Sequence, residues 1–355
     1  MPKYESVSDL IEKRIRFGDY ALKDIPPEER LASEVGVSRM TARKAVLHLL
    51  EKGLLVRQPN GRVAVNREGL SGGAMQLALL MPAWQSSFLE SWQIAATQVA
   101  SKFNGIIRRV DFVHWDDPLI GEALDRFDGV LLYPSTDPVP PHIMDRLCEH
   151  RTPVVVLDAD WSMHGLRSID LMPNSQTNQL LDHLADLGHQ RIACLNTQPV
   201  TLDIPERIKQ WESWMSERGW AGRLISEPVA AYGDPTARSY EVMTKFLRAR
   251  KPDFTAMLCV TAAAAIGAMR DLLDAGIRIG HDVSVCAIND EGMGRYLNPT
   301  LTATQIPDIE PFLEVAFEWI QQRKPDWDAP MLLQPSSVPF FVGESTGPCP
   351  PQSLG

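Results

Sequence analysis

The amino-acid sequence predicts a small α+β winged helix-turn-helix domain followed by a larger α/β body with parallel sheets. Three observations carry this. The first 66 residues read as helix, helix, helix and hairpin; a glycine-rich stretch at 67–74 interrupts the pattern; and beyond it short apolar runs alternate with helical segments in two successive sets. The expected domains are a head at 1–66, a linker at 67–74, a body at 75–345 and a frayed tail at 346–355.

In the head, residues 4–17 place Val7, Leu10, Ile11 and Ile15 on one helical face, and Gly18 is a stop signal. Pro26 and Pro27 then stand at the start of a second helix. Glu28 and Glu29 lie in its first turn, where the macrodipole favours acids, and Leu31, Ala32 and Val35 face inward until Gly36 ends it. Ser38 is a good N-cap for a third helix, in which Ala42, Ala45, Val46 and Leu49 follow the i, i+3, i+4, i+7 pattern up to Gly53. Two β-rich runs, Leu54–Arg57 and Arg62–Val65, flank the turn signal Pro59-Asn60-Gly61.

In the body, strands are expected at Leu77–Met81, Ile106–Val110, Gly129–Tyr133 and Val154–Asp158, with helices near 88–103, 117–126 and 141–150. The second set has helices at 175–187, 204–218, 236–249 and 262–275, and strands at Arg191–Asn196, Ala256–Val260 and Val283–Ile288. A last helix near 308–321 and strands near 331–334 and 338–342 complete it. Such open parallel sheets bind small ligands in the crevice at their strand ends.

Composition narrows the function. The chain of 355 residues has a net charge of −10, but residues 1–67 carry 13 Lys+Arg against 9 Asp+Glu, so a basic head precedes an acidic body. The five cysteines are widely spaced without a CxxC pair, which suggests neither a disulfide framework nor a zinc site; four sit in or near apolar runs and read as buried hydrophobes. No apolar stretch is long enough to span a bilayer and the start lacks a signal-peptide core, so the expectation is a soluble, cytoplasmic protein without membrane, metal or cofactor.

The chemistry of the head fits DNA. Arg39 and Arg43 lie four apart near the start of the third helix, with Thr41 and Lys44 close by, at the end that enters a major groove. Arginine there can fork onto guanine O6 and N7, while Ser, Thr and Lys can hold phosphate. The segment IPPEERLASEVGVSRMTARKAVLHLLEKGLL resembles the GntR family of bacterial transcription regulators over residues 4–65. By that resemblance Ser38, Arg39, Met40, Thr41 and Arg43 fall on the DNA-contacting turn and recognition helix, and Asn60 and Gly61 on the wing tip. The family's SER tripeptide has Glu29 at its arginine, leaving Arg30 beside it to take over the contact, and wing residue Arg62 could reach phosphate or a minor groove.

The body resembles the effector-binding domain of LacI/GalR-type repressors, itself similar to periplasmic sugar-binding proteins, through LALLMPAWQSSF, FDGVLLYPS, TPVVVLDAD, LADLGHQRIACLN, ERIKQWESWMSERG, FTAMLCVTAAAAIGAMRDLLDAGIRIGHDVSVCAIND and LNPTLTAT. The resemblance implies a two-lobed, periplasmic-binding-protein-like fold with three crossovers, lobe one at 75–170 plus 302–325 and lobe two at 171–300 plus 326–345. A GntR-like head on a LacI-like body is the arrangement of arabinose-repressor-type regulators, which implies a homodimer, operator DNA and a carbohydrate-like effector. In the pocket, Arg207 matches a ligand-reaching arginine and Phe88 an aromatic platform, with Trp84 nearby. Thr261-Ala262 replaces an Asn-Asp pair, so the acidic acceptor for sugar hydroxyls is missing; Asn289 and Asp290 occupy the turn after a later strand, where Asp290 could compensate.

The resulting expectation is a transcription regulator, a repressor, whose operator affinity is controlled by an effector held between two lobes. A ligand-insensitive dimerisation body is one alternative. A DNA-tethered enzyme is another, but GESTG at Gly343–Gly347, although it matches G-x-S-x-G, is followed by TGPCPP rather than the helix a nucleophile elbow needs, and His189 reads as a structural turn residue.

Overall fold

A computed structural model of the chain describes residues 2–66, 74–83, 86–173, 175–199, 203–230, 233–322 and 331–351. Residues 67–73 of the linker expected at 67–74, Trp84, and the end of the tail at 352–355 lie outside these residues.

The head comprises α1 (Lys3–Arg16), α2 (Glu28–Val35), α3 (Arg39–Glu51), β1 (Leu55–Arg57) and β2 (Val63–Val65). Its core is Val7, Ile11, Ile15, Leu31, Ala32, Ala42, Ala45, Val46, Leu49, Leu54 and Leu55, joined by Ile25 from the loop before α2. Leu10, expected on the inner face of α1, is exposed, and Ser8 is buried instead. Gly36, at φ +70°, supplies the left-handed residue that ends α2 and lets α3 turn away. β1 and β2 pair antiparallel, Leu55 opposite Val65, around the turn at 59–61.

The body contains two six-stranded sheets. The first runs β4 (Gly105–Phe112), β3 (Met75–Pro82), β5 (Gly129–Leu132), β6 (Val154–Leu157), β7 (Arg167–Ile169), β13 (Leu332–Leu333), all parallel. The second runs β9 (Leu224–Ser226), β8 (Ile192–Asn196), β10 (Ala256–Cys259), β11 (Ser284–Ala287), β12 (Thr302–Thr304), β14 (Phe340–Phe341), parallel except for the last pair. Near-continuous Val, Leu, Ile and Ala runs are what parallel strands covered on both faces require. The covering helices are α4 (Ser87–Lys102), α5 (Pro118–Arg126), α6 (Pro141–Glu149) and α11 (Glu310–Gln322) on the first sheet, and α7 (Ser175–Asp186), α8 (Asp203–Glu217), α9 (Pro235–Ala249) and α10 (Ala262–Asp274) on the second.

The chain passes between sheets three times: after β7, after β12 and after β13. This corrects the expected lobe limits. Thr302 pairs with Cys286, so 302–304 extends the second sheet before the chain crosses to α11, and Leu332 pairs with Ser168, so 332–333 closes the first sheet before the chain returns. The tail is not frayed from 346 onward either. Gly347 donates its backbone N–H to Ser284 Oγ (3.1 Å), and Cys349 donates its N–H to the Leu187 carbonyl (2.8 Å). Buried His189 is bonded to Thr255, Ser284 and the Gly347 carbonyl, a structural post for this end of the chain. Cys194, Cys259 and Cys286 are buried in strands as expected, whereas Cys148 is exposed.

The head is seated on the first lobe through the segment between α1 and α2. Ala21 belongs to the apolar cluster of Leu80, Val110, Phe112 and Trp115, and Leu22 packs against it. Around that contact Gln76 Nε2 donates to the Ile15 carbonyl (3.1 Å), Arg108 pairs with Asp19, and Asp24 lies 3.9 Å from both Arg62 of the wing and Arg126 of α5.

Candidate functional site

Two faces carry chemistry. On the head, Ser38 opens α3: its Oγ accepts the Thr41 N–H (3.2 Å) and lies 2.8 Å from Thr41 Oγ1. With Ala42, Ala45, Val46 and Leu49 buried against α1 and α2, helical geometry turns Arg39, Met40, Arg43 and Lys44 outward, and all four are exposed. Met40 is 60% exposed, an apolar side chain with no core to serve. No ion pair ties Arg39, Arg43 or Lys44 to another described residue. The other expected contacts differ. Arg30 is held by Glu34 of its own helix at 3.1 Å, and Arg62 is drawn toward Asp24. Asn60 Oδ1 accepts the Arg62 N–H (2.9 Å), and Gly61 takes φ +79°, so the wing tip is an exposed, hydrogen-bonded turn.

The second face is a cleft of about 740 Å³ between the lobes. From the first lobe come Phe88, Tyr133, Asp158 and Met172; from the second come Gln198, Asp203, Arg207, Asp234, Thr261, Asn289 and Glu291. Tyr133, Asp158, Gln198, Thr261 and Asn289 each follow the carboxyl end of a parallel strand, as ligand-binding residues of open α/β sheets do. Phe88 and Tyr133 meet edge to face, centroids 6.3 Å apart. Thr261 caps α10 and accepts Gln198 Nε2 (3.0 Å), and Arg207 Nη1 donates to the Val260 carbonyl (2.9 Å), which fixes the guanidinium beside the end of β10.

The acids are the feature missed from the sequence. Asp158 sits at φ +55° after β6 and accepts the Tyr133 hydroxyl on Oδ2 (2.9 Å), while its buried Oδ1 has no partner among the described residues. Burial, reinforced by the charges of Asp203 and Asp170, pushes its carboxyl up to about 8, against the opposing pull of Tyr133 and Arg207. Asp203, in the first turn of α8, is also raised, by burial first, with Arg207 pulling it back. Burial and then Asp158 hold the Tyr133 phenol well above its ordinary value. The expected loss of an acidic acceptor is therefore corrected: Asp158 and Asp203 supply acid to the cleft. The expectation for Asp290 fails, because it is buried outside the lining, with Oδ1 on the Gly292 N–H (2.8 Å) and Oδ2 on Gln305 Nε2 (2.9 Å). Its neighbour Asn289 does line the cleft.

Comparison with known proteins matches this division. Residues 3–65 match the family model of gntR-family bacterial regulatory proteins, and residues 181–339 match the periplasmic binding protein-like domain. The HTH-type transcriptional regulator AscG of Escherichia coli is 26% identical over 190 residues, 54% of this chain and 55% of the relative, so the chain spans about half the length of that protein. The probable HTH-type transcriptional repressor ExuR of Bacillus subtilis is 21% identical over 273 residues, 75% of this chain and 78% of the relative. A LacI family transcriptional regulator from Enterococcus faecium, solved with bound ribose, shares the fold with a TM-score of 0.64 at 19% identity, covering 77% of this chain and 99% of that one. The chain thus joins a head similar to gntR-family bacterial regulatory proteins to a body similar to the periplasmic binding protein-like domain, with the fold of LacI-family regulators.

Proposed function

We propose that this protein is a transcriptional repressor that binds operator DNA as a homodimer and is controlled by a carbohydrate-like effector held in the cleft. The observation that carries the reading is the pairing, on one chain, of an unpaired cationic face on α3 with a two-lobed polar cleft. Arg39 and Arg43 read base edges; Ser38, Thr41 and Lys44 hold phosphate, with Asn60, Gly61 and Arg62 at the wing, where Arg62 exchanges Asp24 for phosphate. Arg30 plays a lesser part, since Glu34 already occupies it. Relatives that are regulators, and a fold neighbour solved with ribose, support both halves.

Phe88 offers a sugar face a stacking surface, and Arg207, Thr261, Asn289, Gln198 and the cleft acids meet its hydroxyls. A ligand touching both lobes favours one lobe angle over another, and because the head is seated on the first lobe, that angle changes the spacing of two heads in a dimer. No catalysis is assigned: Ser345 of the GESTG segment is buried, donating to the Val285 carbonyl (2.6 Å) and accepting the Thr302 N–H (2.8 Å). Among the described residues no helix is long and apolar enough to cross a membrane, and a role on operator DNA places the protein in the cytoplasm.

The test is to select operator fragments from a genomic library with the full chain and titrate the winner in gel shifts. Arg39→Ala and Arg43→Ala should each weaken binding by about 1–3 kcal/mol with the melting temperature unchanged. Selection without enrichment, or variants with full affinity, would remove the DNA reading.

A further inference from the structure

We infer that the effector is an amino sugar, a polyol carrying an ammonium, and that Asp158 receives that ammonium. This rests on the proposed function and names its ligand class. Among the described residues four carboxylic acids line the cleft, Asp158, Asp203, Asp234 and Glu291, against a single cation, Arg207. By sequence, residues 84–85, 174, 200–202 and 231–232 contain no charged side chain.

Charge alone does not make a site; the state of each group does. Asp234 is already spent, its Oδ1 accepting the N–H groups of Thr236 and Ala237 at the start of α9. Arg207 is committed to the Val260 carbonyl and to the field of Asp203 and Asp158. Asp158 differs from both: one oxygen is held by Tyr133 and the other is buried at the cleft without a donor among the described residues. A buried carboxyl oxygen left without a partner in this way is costly, whichever protonation state it holds, unless a ligand pairs with it. An ammonium offers three donors to a space bounded by Asp158 and Asp203, with the rings of Phe88 and Tyr133 alongside, and aromatic faces favour cations. A uronate or a sugar phosphate would instead bring a negative charge among these acids.

The chemistry also predicts a proton. Without a cation beside it, burial keeps Asp158 protonated at neutral pH. Forming the ion pair ionises it, so binding one ammonium releases up to one proton to the buffer.

The experiment is isothermal titration of the full chain at pH 7 with matched sets, each comprising an amino sugar, its neutral parent and the corresponding uronic acid, in the gluco, galacto and manno series. One amino sugar should bind at least about tenfold more tightly than its parent, with the uronate weakest, and its binding enthalpy should vary with the ionisation enthalpy of the buffer. Asp158→Asn should bring the amine-to-neutral ratio near one, and Asp203→Asn should lower it partway. Should Asp158→Asn fail to fold, the buffer dependence of the wild type and the Asp203→Asn ratio decide. No binding by any amino sugar, a uronate bound as tightly, or a preference unchanged in both variants overturns the inference. Tight binding of a neutral sugar without amine preference overturns it while leaving the proposed function in place.

Discussion

Replacing Asp158 by Asn should stabilise the empty protein by an amount that grows with pH. The folded protein holds this carboxyl at about 8, whereas an unfolded chain leaves it near 3.8. Because the folded value is the higher one, the protonated side chain is fully compatible with the fold at about pH 4. Stability is then lost as pH rises toward 8, while the unfolded state ionises freely and the folded state cannot. The slope is at most about 1.4 kcal/mol per pH unit, a ceiling of roughly 5–6 kcal/mol above pH 8. Relaxation and water entry lower such ceilings, so about 2–3 kcal/mol between pH 5 and pH 8 is expected. The groups facing Asp158 are Tyr133 after β5, Asp203 and Arg207 on α8 and Asp170 after β7; Asn keeps the shape and can still accept the Tyr133 hydroxyl. Urea unfolding of wild type and variant at pH 5, 6, 7 and 8, followed by tryptophan fluorescence, measures the difference. A difference that stays flat with pH would show that Asp158 is solvated and would refute the reasoning.

Two further outcomes follow from the geometry. Arg207→Ala removes the only cation among the described cleft residues and the donor to the Val260 carbonyl, so operator binding should persist while release by the effector is lost; a variant released normally would make Arg207 purely structural. Ala21→Asp places a charge in the apolar seat of the head, which should cost about 1–3 kcal/mol locally and speed hydrogen exchange of residues 15–25, and unchanged exchange there would mean the seat does not hold the head.

The head was legible because its information is local. Ser38, Arg39, Arg43 and the buried Ala42, Ala45 and Val46 lie within one helix, where spacing alone assigns the face. The cleft was less so, since Tyr133, Asp158, Asp203, Thr261 and Asn289 come from the ends of separate elements. One signal was available: Asp158 directly follows the run VVVL, at a strand's carboxyl end, where ligands bind. Asp290 misled because consecutive turn residues point different ways, Asn289 to the cleft and Asp290 into its own loop. β7, β9 and β12 are three residues each, too short for periodicity to declare, and overlooking β12 put the crossover on the wrong side of Thr302–Thr304.

The seat between head and first lobe bears on how the two modules can be exchanged. A chimera cut at the 67–73 stretch would look clean, because the boundary falls between matched domains. Yet Asp19, Ala21, Asp24 and the Ile15 carbonyl belong to the head, while Arg108, Arg126, Gln76 and the Phe112–Trp115 surface belong to the body. A transplanted head with bulky or mismatched residues at these positions would keep its DNA preference and lose its register on the new body. Grafts that carry residues 15–24 of this chain along with the body would preserve the joint, which makes the α1–α2 segment, not the linker, the true seam of the molecule.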